Sequence, residues 1–275
     1  MATNQDLSQL LPEVIEIARS AGQLILDIYE NKEYDEFIKS DETPVTSADI
    51  AAHKLITLQL NQLTPEIPVL SEEAANISLT DRAQWNRYWL VDPLDGTQEF
   101  IARSGDFATI IALVENNRPV MGVVYGPVSG VTYYAYHGLG AWKIPDMAER
   151  VQISTHKHEQ PGSPIAIAIS RRQNINSVTR RMSSAWNYEL VPLGSAALKA
   201  CLVAEGAVDC YVRLGPTGEW DTAATQCIVE EAGGRILSTH LLPLSYNERE
   251  SLENPNFIVM GDEQLPWNDI LQIKD

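Results

Sequence analysis

Cysteine is scarce in this sequence, and its few copies follow no pairing pattern. Cys201, Cys210 and Cys227 are the 3 cysteines among 275 residues, and no two of them form a Cys-x-x-Cys pair. Because any pairing leaves one thiol over, a fully paired disulfide framework is excluded and a reducing compartment is favoured. Cys201 and Cys227 stand among apolar residues of predicted helices, which favours buried structural thiols over redox-active ones.

Basic residues are also in short supply. The sequence has 20 Lys and Arg residues against 37 Asp and Glu residues, which gives a formal net charge of −17 at pH 7. Polymeric nucleic acid and anionic membranes carry charge of the same sign and are repelled by such a protein. Any phosphate that it binds must therefore be small and neutralised locally.

Long hydrophobic runs are missing as well. No apolar stretch approaches the roughly 18 to 20 residues that a membrane-spanning helix needs. The first residues carry no basic segment followed by an apolar one, so we expect a cytoplasmic protein. Gly-x-Gly-x-x-Gly and Walker sequences and internal repeats are absent too. With 44% hydrophobic and 21% charged residues, the composition is that of an ordinary globular enzyme.

Hydrophobic periodicity predicts an α+β arrangement in the first part of the chain. Apolar residues at three- and four-residue steps predict a helix over residues 6–30. A second helix is predicted to follow Thr46 and to run to about Leu63. Runs rich in β-branched and aromatic residues over 107–142 predict an antiparallel meander.

The second part of the chain shows a different pattern. Strand and helix signals alternate over residues 165–260, which is typical of an α/β arrangement. A polar stretch over 145–164 separates the two parts. We therefore predict an N-terminal α+β domain at 1–150 and a C-terminal α/β domain at 151–275.

The segment Asp92-Pro93-Leu94-Asp95-Gly96-Thr97 follows an apolar run that predicts a buried strand. Pro93 removes a backbone donor, so we expect the strand ladder to stop where the two carboxylates appear. Asp92 and Asp95 can turn to one side, and the Leu94 carbonyl between them adds a third hard oxygen. Such a set suits Mg²⁺ or Mn²⁺ rather than zinc.

Gly96 and Thr97 follow at a predicted helix start, where backbone N–H groups and a hydroxyl favour an anion. The alternative is structural, because Pro-Leu-Asp-Gly is a good turn sequence and an Asp-Gly-Thr after a strand is usually only a turn or a cap. The whole string, with its preceding strand, is more specific. It resembles the signature of the lithium-sensitive, Mg²⁺-dependent phosphomonoesterases of the inositol monophosphatase superfamily.

Three further acidic sites match that superfamily in order and approximate spacing. Asp49 stands three residues after Thr46, which a capping box would explain, but the superfamily places a catalytic Asp in a matching Val-Thr-x-x-Asp string. Glu72 and Glu73 end a predicted strand; an exposed pair is common, whereas in the superfamily the first binds metal and the second helps to position water. Asp221 could merely complement a helix dipole, or supply the matching carboxylate of a second metal.

The resemblance implies a layered αβαβα sandwich of the inositol monophosphatase and fructose bisphosphatase type. It implies two or three Mg²⁺ ions, with Mn²⁺ as a substitute and Li⁺ as an inhibitor. The implied metal ligands are Glu72, Asp92, the Leu94 carbonyl, Asp95 and Asp221. The implied catalytic residues, which would orient an attacking water with no covalent phosphoenzyme, are Asp49, Glu73 and Thr97.

The substrate is suggested by residues outside these acids. After Thr97 the chain has Gln98-Glu99-Phe100-Ile101, which looks like the CysQ-type 3'(2'),5'-bisphosphate nucleotidases. Arg213 stands where inositol monophosphatases carry a Glu that accepts sugar hydroxyls, and an Arg cannot accept but can bind an anion. This favours a substrate with a second phosphate. The other expected substrate contacts are Gly96, Thr97, Ser170, Arg171, Gly194, Ser195, Lys199 and Asp221, although tight helix packing would equally explain the small residues.

The resemblance thus implies hydrolysis of adenosine 3',5'-bisphosphate to AMP and phosphate, a salvage step of sulfate assimilation. The alternatives are an inositol monophosphatase, another sugar or NADP phosphatase, and a catalytically silent regulatory homologue. The expected partner is a small phosphorylated nucleotide, with no polymeric nucleic acid and no transmembrane segment. Resemblance also allows peripheral contact with the inner membrane, and both a monomer and a homodimer stay open.

Overall fold

Helices and sheets alternate in the computed structural model, which describes residues 4–32, 34–38, 44–158 and 162–272. The helices are α1 Asn4–Asn31, α2 Ser47–Leu63, α3 Leu79–Arg82, α4 Thr97–Ile101, α5 Ile175–Thr179, α6 Ala196–Ala204, α7 Ala223–Glu231 and α8 Trp267–Ile270. The strands are β1 Glu36–Ile38, β2 Pro44–Thr46, β3 Val69–Ser71, β4 Arg87–Asp95, β5 Ala108–Glu115, β6 Arg118–Gly126, β7 Val131–Tyr136, β8 Gly140–Ile144, β9 Val151–Ile153, β10 Ile165–Ser170, β11 Tyr188–Leu193, β12 Cys210–Arg213, β13 Arg235–Ser238 and β14 Phe257–Met260. Two one-turn 3-10 helices span Glu72–Ala74 and Glu219–Asp221.

The strands form two large sheets and one small hairpin. The first sheet has 7 strands in the order β3-β4-β5-β6-β7-β8-β9, parallel between β3 and β4 and antiparallel elsewhere. The second has 5 strands in the order β11-β10-β12-β14-β13, where β10 lies parallel to β11 and β12. β14 runs antiparallel to β12 and β13, and β1 pairs with β2.

Three apolar cores hold these elements together in layers. α1 and α2 pack on one face of the seven-stranded sheet, while α6 and α7 fill the space between the two sheets. The outer face of the five-stranded sheet is covered by α5 and α8. The order helix, sheet, helix, sheet, helix confirms the predicted αβαβα sandwich.

The first helix illustrates how the sequence builds the outer layer. Val14, Ala18, Ala21 and Ile25 of α1 are all fully buried, and their spacing of three and four residues places them on one face of a helix. That face packs on the sheet and on α2. The predicted helix over 6–30 is therefore confirmed.

The other sequence predictions hold in outline. The predicted meander is formed by β5, β6 and β7, and it continues into β8 and β9. The predicted strand before Glu73 is shorter than expected, because β3 ends at Ser71 and the acids lie in the following 3-10 turn. The division at 1–150 and 151–275 falls just before β9, the last strand of the first sheet. Side chains of both sheets also share the central core, so separate domains stay a prediction. In the described part of the chain, no helix is both long and apolar enough to cross a membrane.

Close approach of α7 to the first sheet generates a prediction about stability. A Cβ on Gly122, in the middle of β6, would lie 2.2 Å from the carbonyl oxygen of Ala224 in α7. Because the obstacle is backbone, we expect Gly122→Ala to lower the free energy of unfolding by about 3 kcal/mol, near the upper end of overpacking effects. Urea denaturation measures this, with Gly261→Ala as the control. The nearest atom to a Cβ at Gly261 is 3.1 Å away, so a loss there as large as at Gly122 would contradict the packing argument.

Candidate active site

Asp92 and Asp95 lie on the same side of β4 because a bulge separates them. Between the pairs Asp92–Ile110 and Asp95–Ala108, two residues of β4 stand opposite one residue of β5. Residues three apart in a regular strand point to opposite faces, and the extra residue of a bulge turns the second one back. The predicted end of the ladder at Pro93 is therefore wrong, since pairing is only interrupted there and resumes at Asp95.

A third carboxylate reaches this pair from the second half of the chain. Asp221 lies in the 3-10 turn before α7, and one oxygen each of Asp92, Asp95 and Asp221 lies within 4.8 Å of the others. Glu72 lines the same cleft from the turn after β3, and its charge acts on both Asp92 and Asp221. Three distant stretches of sequence thus contribute four acids to one cluster.

The proximity and burial of these acids raise the pKa values of two of them. Burial raises the pKa of the Asp92 carboxyl well above its ordinary value, and the charges of Glu72 and Asp95 raise it further. Burial also raises the pKa of Asp221, with added effects of Asp95 and Glu72. Such like charges repel one another unless a cation relieves them. Because the ligands are carboxylate oxygens, the cluster fits a hard divalent ion such as Mg²⁺.

Asp49 is joined to the same region through Thr97. The Thr97 hydroxyl, on the first residue of α4, donates to Asp49 Oδ1 at 2.9 Å and lies 3.3 Å from the Leu94 carbonyl. Asp49 Oδ2 accepts from the Thr46 N–H at 2.8 Å and from its hydroxyl at 2.6 Å. The capping box is thus confirmed, but a cap does not need the Thr97 contact. Burial raises the pKa of Asp49, against the opposing effect of these hydrogen bonds.

The predicted pair of glutamates divides in the structure. Glu72 and Glu73 are both partly buried in their 3-10 turn, but only Glu72 is among the residues found to line the cleft. A role for Glu73 in orienting water stays a prediction. Gly96, which precedes α4, has φ +97°, a left-handed conformation that glycine adopts without strain.

The carboxylates lie where two lobes of one cleft meet. The smaller lobe has a volume of about 250 Å³ and the larger about 470 Å³. Both are lined by Glu72, Asp95, Gly96, Thr97 and Asp221. The smaller, which we name the basic lobe, adds the cations Arg172, Lys199 and Arg213. The larger, which we name the acidic lobe, adds Glu250 and Glu253.

Most residues predicted to contact substrate line the basic lobe. They are Gly96, Thr97, Ser170, Gly194, Ser195, Lys199, Arg213 and Asp221. Arg171 differs, because its guanidinium pairs with Asp106 at 2.7 Å and it is not found among the lining residues. Its neighbour Arg172 lines the lobe instead, paired with Glu99 at 3.1 Å. Sequence reasoning missed Arg172, since only tertiary partners distinguish two adjacent arginines after one strand.

Arg213, the last residue of β12, retains an unused donor. Its Nη2 donates to the Pro216 carbonyl at 2.9 Å. Its buried Nε–H has no hydrogen-bond partner among the residues that the structure describes. A guanidinium with an unpaired N–H beside a cleft is well suited to an anion.

Ser195 and Lys199 differ from Arg213 because protein partners engage all of their donors. The Ser195 hydroxyl donates to the Asp95 carboxylate. The buried Lys199 ammonium donates to three carbonyls of the turn before α6, those of Leu193, Gly194 and Ser195. Burial lowers the pKa of Lys199 to about 8, although the charge of Asp95 opposes this. Their predicted contacts with substrate stay predictions.

A buried polar network, which the sequence does not reveal, fastens the turn that carries Asp221. Arg82 is fully buried; it donates to the Asn247 side chain at 2.6 Å and to two carbonyls of the 244–254 loop at 2.7 Å. Glu219, also fully buried, accepts from the Asn247 N–H at 2.8 Å. The network joins α3, the loop and the Asp221 turn, and an arginine in a polar stretch of sequence gives no sign of it.

Comparison with known proteins places this architecture in a family. The family described as inositol monophosphatase matches residues 6–263. The 3'(2'),5'-bisphosphate nucleotidase CysQ of Aggregatibacter actinomycetemcomitans is 43% identical over 263 residues, covering 96% of this chain and 97% of that protein. The protein of the same name from Salmonella typhimurium is 44% identical over 251 residues, with coverages of 91% and 99%.

Solved structures agree with the sequence comparison. CysQ from Bacteroides thetaiotaomicron, described as a bacterial member of the inositol monophosphatase family, superimposes with a TM-score of 0.79 at 38% identity, covering 92% of this chain and 97% of that one. An IMPase of Thermotoga maritima gives a TM-score of 0.75 at 26% identity, with 92% of each chain covered. This chain therefore belongs to the inositol monophosphatase family.

Proposed function

We propose that this chain is a Mg²⁺-dependent phosphomonoesterase that hydrolyses adenosine 3',5'-bisphosphate to AMP and phosphate, the salvage step of sulfate assimilation. One observation carries the proposal: a buried carboxylate cluster adjoins a lobe lined by three cations. The cluster suits a metal that binds the reacting phosphate, and the basic lobe suits a second phosphate. The relatives named 3'(2'),5'-bisphosphate nucleotidase support the same substrate class.

The metal ligands would be Glu72, Asp92, the Leu94 carbonyl, Asp95 and Asp221, sufficient for two or three Mg²⁺ ions, with Mn²⁺ as a substitute. Bound Mg²⁺ would neutralise charge on the phosphoryl group and favour ionisation of a water molecule. The burial of Asp92 and Asp95 lets these charges act without screening by bulk water. Direct in-line displacement needs no covalent phosphoenzyme.

Thr97 and Asp49 are arranged to orient the attacking water. The Thr97 hydroxyl gives its single proton to Asp49 Oδ1, so its remaining lone pair can accept a hydrogen bond from water. Asp49 is held in place by Thr46 through its other oxygen. A proton from the water can therefore move through Thr97 toward Asp49, with Glu73 as the further residue proposed to assist.

The basic lobe would receive the phosphate that does not react. The charged side chain of Arg213 lines this lobe, and its Nε–H has no partner among the described residues. Ser170, Gly194 and Gly96 line the same lobe. Arg172 joins this set, because it lines the lobe while keeping its ion pair with Glu99. The acidic lobe, with Glu250 and Glu253, would repel that phosphate, so the two lobes fix the orientation of the substrate.

Two rival enzyme activities use the same metal cluster, namely hydrolysis of inositol or other sugar phosphates and of NADP. An inositol monophosphate has no second phosphate to occupy the basic lobe, so Arg213 favours the bisphosphate. A catalytically silent regulator is disfavoured by the four acids retained in the cluster.

Phosphate release from three substrates tests the assignment. The purified protein is assayed in Mg²⁺ with adenosine 3',5'-bisphosphate, inositol 1-phosphate and NADP. We expect kcat/KM to be highest for the adenosine bisphosphate by at least about 10-fold, the value of one charge-assisted contact. A preference for inositol 1-phosphate would reject the nucleotide assignment, and no release from any of the three would reject the phosphatase.

The carboxylate cluster predicts how the protein responds to the loss of one acid. Asp92→Asn removes one of the repelling charges and one metal ligand, so the metal-free protein should melt at a higher temperature than the unmodified one. Mg²⁺ should then raise its melting temperature less, and activity should fall by at least about 10³-fold. Asp27→Asn, at an exposed position of α1, is the control. Near-normal activity of a folded Asp92→Asn protein, or full activity in excess EDTA, would exclude the proposed metal role.

The proposed metal site also predicts inhibition by lithium. A Li⁺ ion is small enough to occupy a Mg²⁺ position but carries half the charge, so it should inhibit at concentrations where Na⁺ does not. Initial rates are measured in LiCl and in NaCl at equal ionic strength and fixed Mg²⁺. Identical curves in the two salts would count against this metal site.

The assignment of the substrate is tested by substitution of Arg213. Arg213→Ala should lower kcat/KM for adenosine 3',5'-bisphosphate by about 10- to 150-fold, the effect of losing a charge-assisted hydrogen bond of about 1.5–3 kcal/mol. Monophosphate hydrolysis should change little. Arg213→Glu places a carboxylate near the second phosphate, so it should lower bisphosphate hydrolysis further and leave inositol 1-phosphate hydrolysis equal or improved.

The matched control for Arg213 is Arg180→Ala, at an exposed position after α5, which should not affect either substrate. Equal proportional losses on both substrates in the Arg213 variants would mean that this arginine only supports the fold. The nucleotide assignment would then depend on family membership alone.

A further inference from the structure

The carboxylate of Asp95 accepts three hydrogen bonds from the start of α6. The N–H of Ala196 donates to Asp95 Oδ1 at 3.2 Å, and the N–H of Ala197 donates to Oδ2 at 2.8 Å. The Ser195 hydroxyl also donates to Oδ2. Both oxygens of one metal-ligand candidate are thus engaged by the N-terminal turn of a nine-residue helix, the helix end that favours negative charge.

The hydroxyl of Ser195 has a fixed direction. It accepts from the N–H of Leu198 at 3.0 Å, as the N-cap of α6. A hydroxyl has only one proton, and here that proton is given to Asp95. The group therefore has no second donor to offer to a phosphate in the basic lobe.

The backbone at Ser195 is unusual for a residue with a side chain. Its φ is +55° with ψ 131°, in a region that glycine favours and that other residues occupy under strain. Glycine would adopt this conformation more easily, so the serine is not explained by the turn itself. Its hydroxyl contact with Asp95 supplies a reason for its presence.

The turn before α6 is fixed on its other side as well. The Gly194 N–H donates to Asp106 Oδ2 at 3.0 Å, and a Cβ on Gly194 would lie 2.6 Å from side-chain atoms of both Asp106 and Glu99. Lys199, which is buried, binds the turn's carbonyls. The hydroxyl of Ser195 is therefore presented to Asp95 by a turn with little freedom to move.

From these contacts we infer that Ser195 is a positioning residue that acts through Asp95 on metal affinity, rather than a direct contact to the substrate. Its hydroxyl, with the two N–H groups of α6, holds the Asp95 carboxylate in one orientation and leaves the remaining lone pair, on Oδ1, for the cation. Lys199 supports the same turn. The inference rests on the metal site of the proposed function, but not on the identity of the substrate.

Two variants separate the hydroxyl from the strained backbone. Ser195→Ala removes the hydroxyl and keeps the strain, whereas Ser195→Gly removes both. We expect each to raise the Kd for Mg²⁺, measured by calorimetry without substrate, by about 10-fold or more, as for the loss of a charge-assisted hydrogen bond. The melting temperature without metal should be higher for the Gly variant than for the Ala variant, because glycine accepts positive φ. Ser195→Thr keeps a hydroxyl and should retain Mg²⁺ affinity while melting earlier.

A kinetic measurement distinguishes metal positioning from substrate binding. In the Ala and Gly variants, saturating Mg²⁺ should restore most of kcat and leave KM for adenosine 3',5'-bisphosphate close to that of the unmodified protein. Asn174→Ala, which removes the N-cap side chain of the short helix α5, is the control for loss of a cap and should not change the Kd for Mg²⁺.

Unchanged Mg²⁺ affinity in both Ser195 variants would overturn the inference. So would a raised KM that saturating Mg²⁺ does not correct, because that result would assign the hydroxyl to the substrate. The calorimetric result is independent of the substrate assignment. If the unmodified protein binds Mg²⁺ but does not hydrolyse the adenosine bisphosphate, the proposed substrate fails while the role of Ser195 is still tested.

Discussion

Mutual repulsion among four carboxylates is the constraint on which the rest of this site depends. Folding brings Asp92, Asp95 and Asp221 within 4.8 Å of one another, and burial raises the pKa of two of them. Such an arrangement is unfavourable without a bound cation, so the surrounding structure must keep the carboxylates in place. Three devices fix Asp92, Asp95 and Asp221: the bulge in β4 turns the first two to one side, the start of α6 binds Asp95, and the polar network around Arg82 fastens the turn of Asp221.

These devices explain why the site lies between the two sheets. β4 of the first sheet provides Asp92 and Asp95, while the turn before α7 provides Asp221. The middle layer of helices therefore also positions the acids, because the start of α6 binds Asp95 and α7 begins beside Asp221. Close packing at Gly122 keeps α7 against the sheet that carries the first two acids. The packing of the layers thus also determines the geometry of the carboxylate cluster.

Local patterns in the sequence predicted individual helices and strands and the centre of the site, whereas the layered arrangement and the roles of the other acids followed from the resemblance to the superfamily. Periodicity located α1, and the string from Asp92 to Thr97 located the centre of the site. The predictions that were wrong depended on contacts between distant parts of the chain. Strand pairing resumes at Asp95 because β5 continues beside the bulge, and Arg171 is held by Asp106, 65 residues away in the chain. The Arg82 network spans about 165 residues and combines residue types that are usually exposed, so no local pattern marks it.

The basic lobe is a local exception to the negative charge of the whole molecule. A protein of net charge −17 repels a bisphosphate at long range, and the acidic lobe continues that field up to the cluster. Among the described residues that line the cleft, the cations are Arg172, Lys199 and Arg213, all in the basic lobe. Two of these already have protein partners for much of their donor capacity. Under the proposed function, attraction of the second phosphate would therefore depend mainly on Arg213, together with metal ions bound by the carboxylates. Under the same proposal, a substrate with one phosphate would use the ions alone, so replacement of this arginine by an acceptor would adapt the site to sugar phosphates.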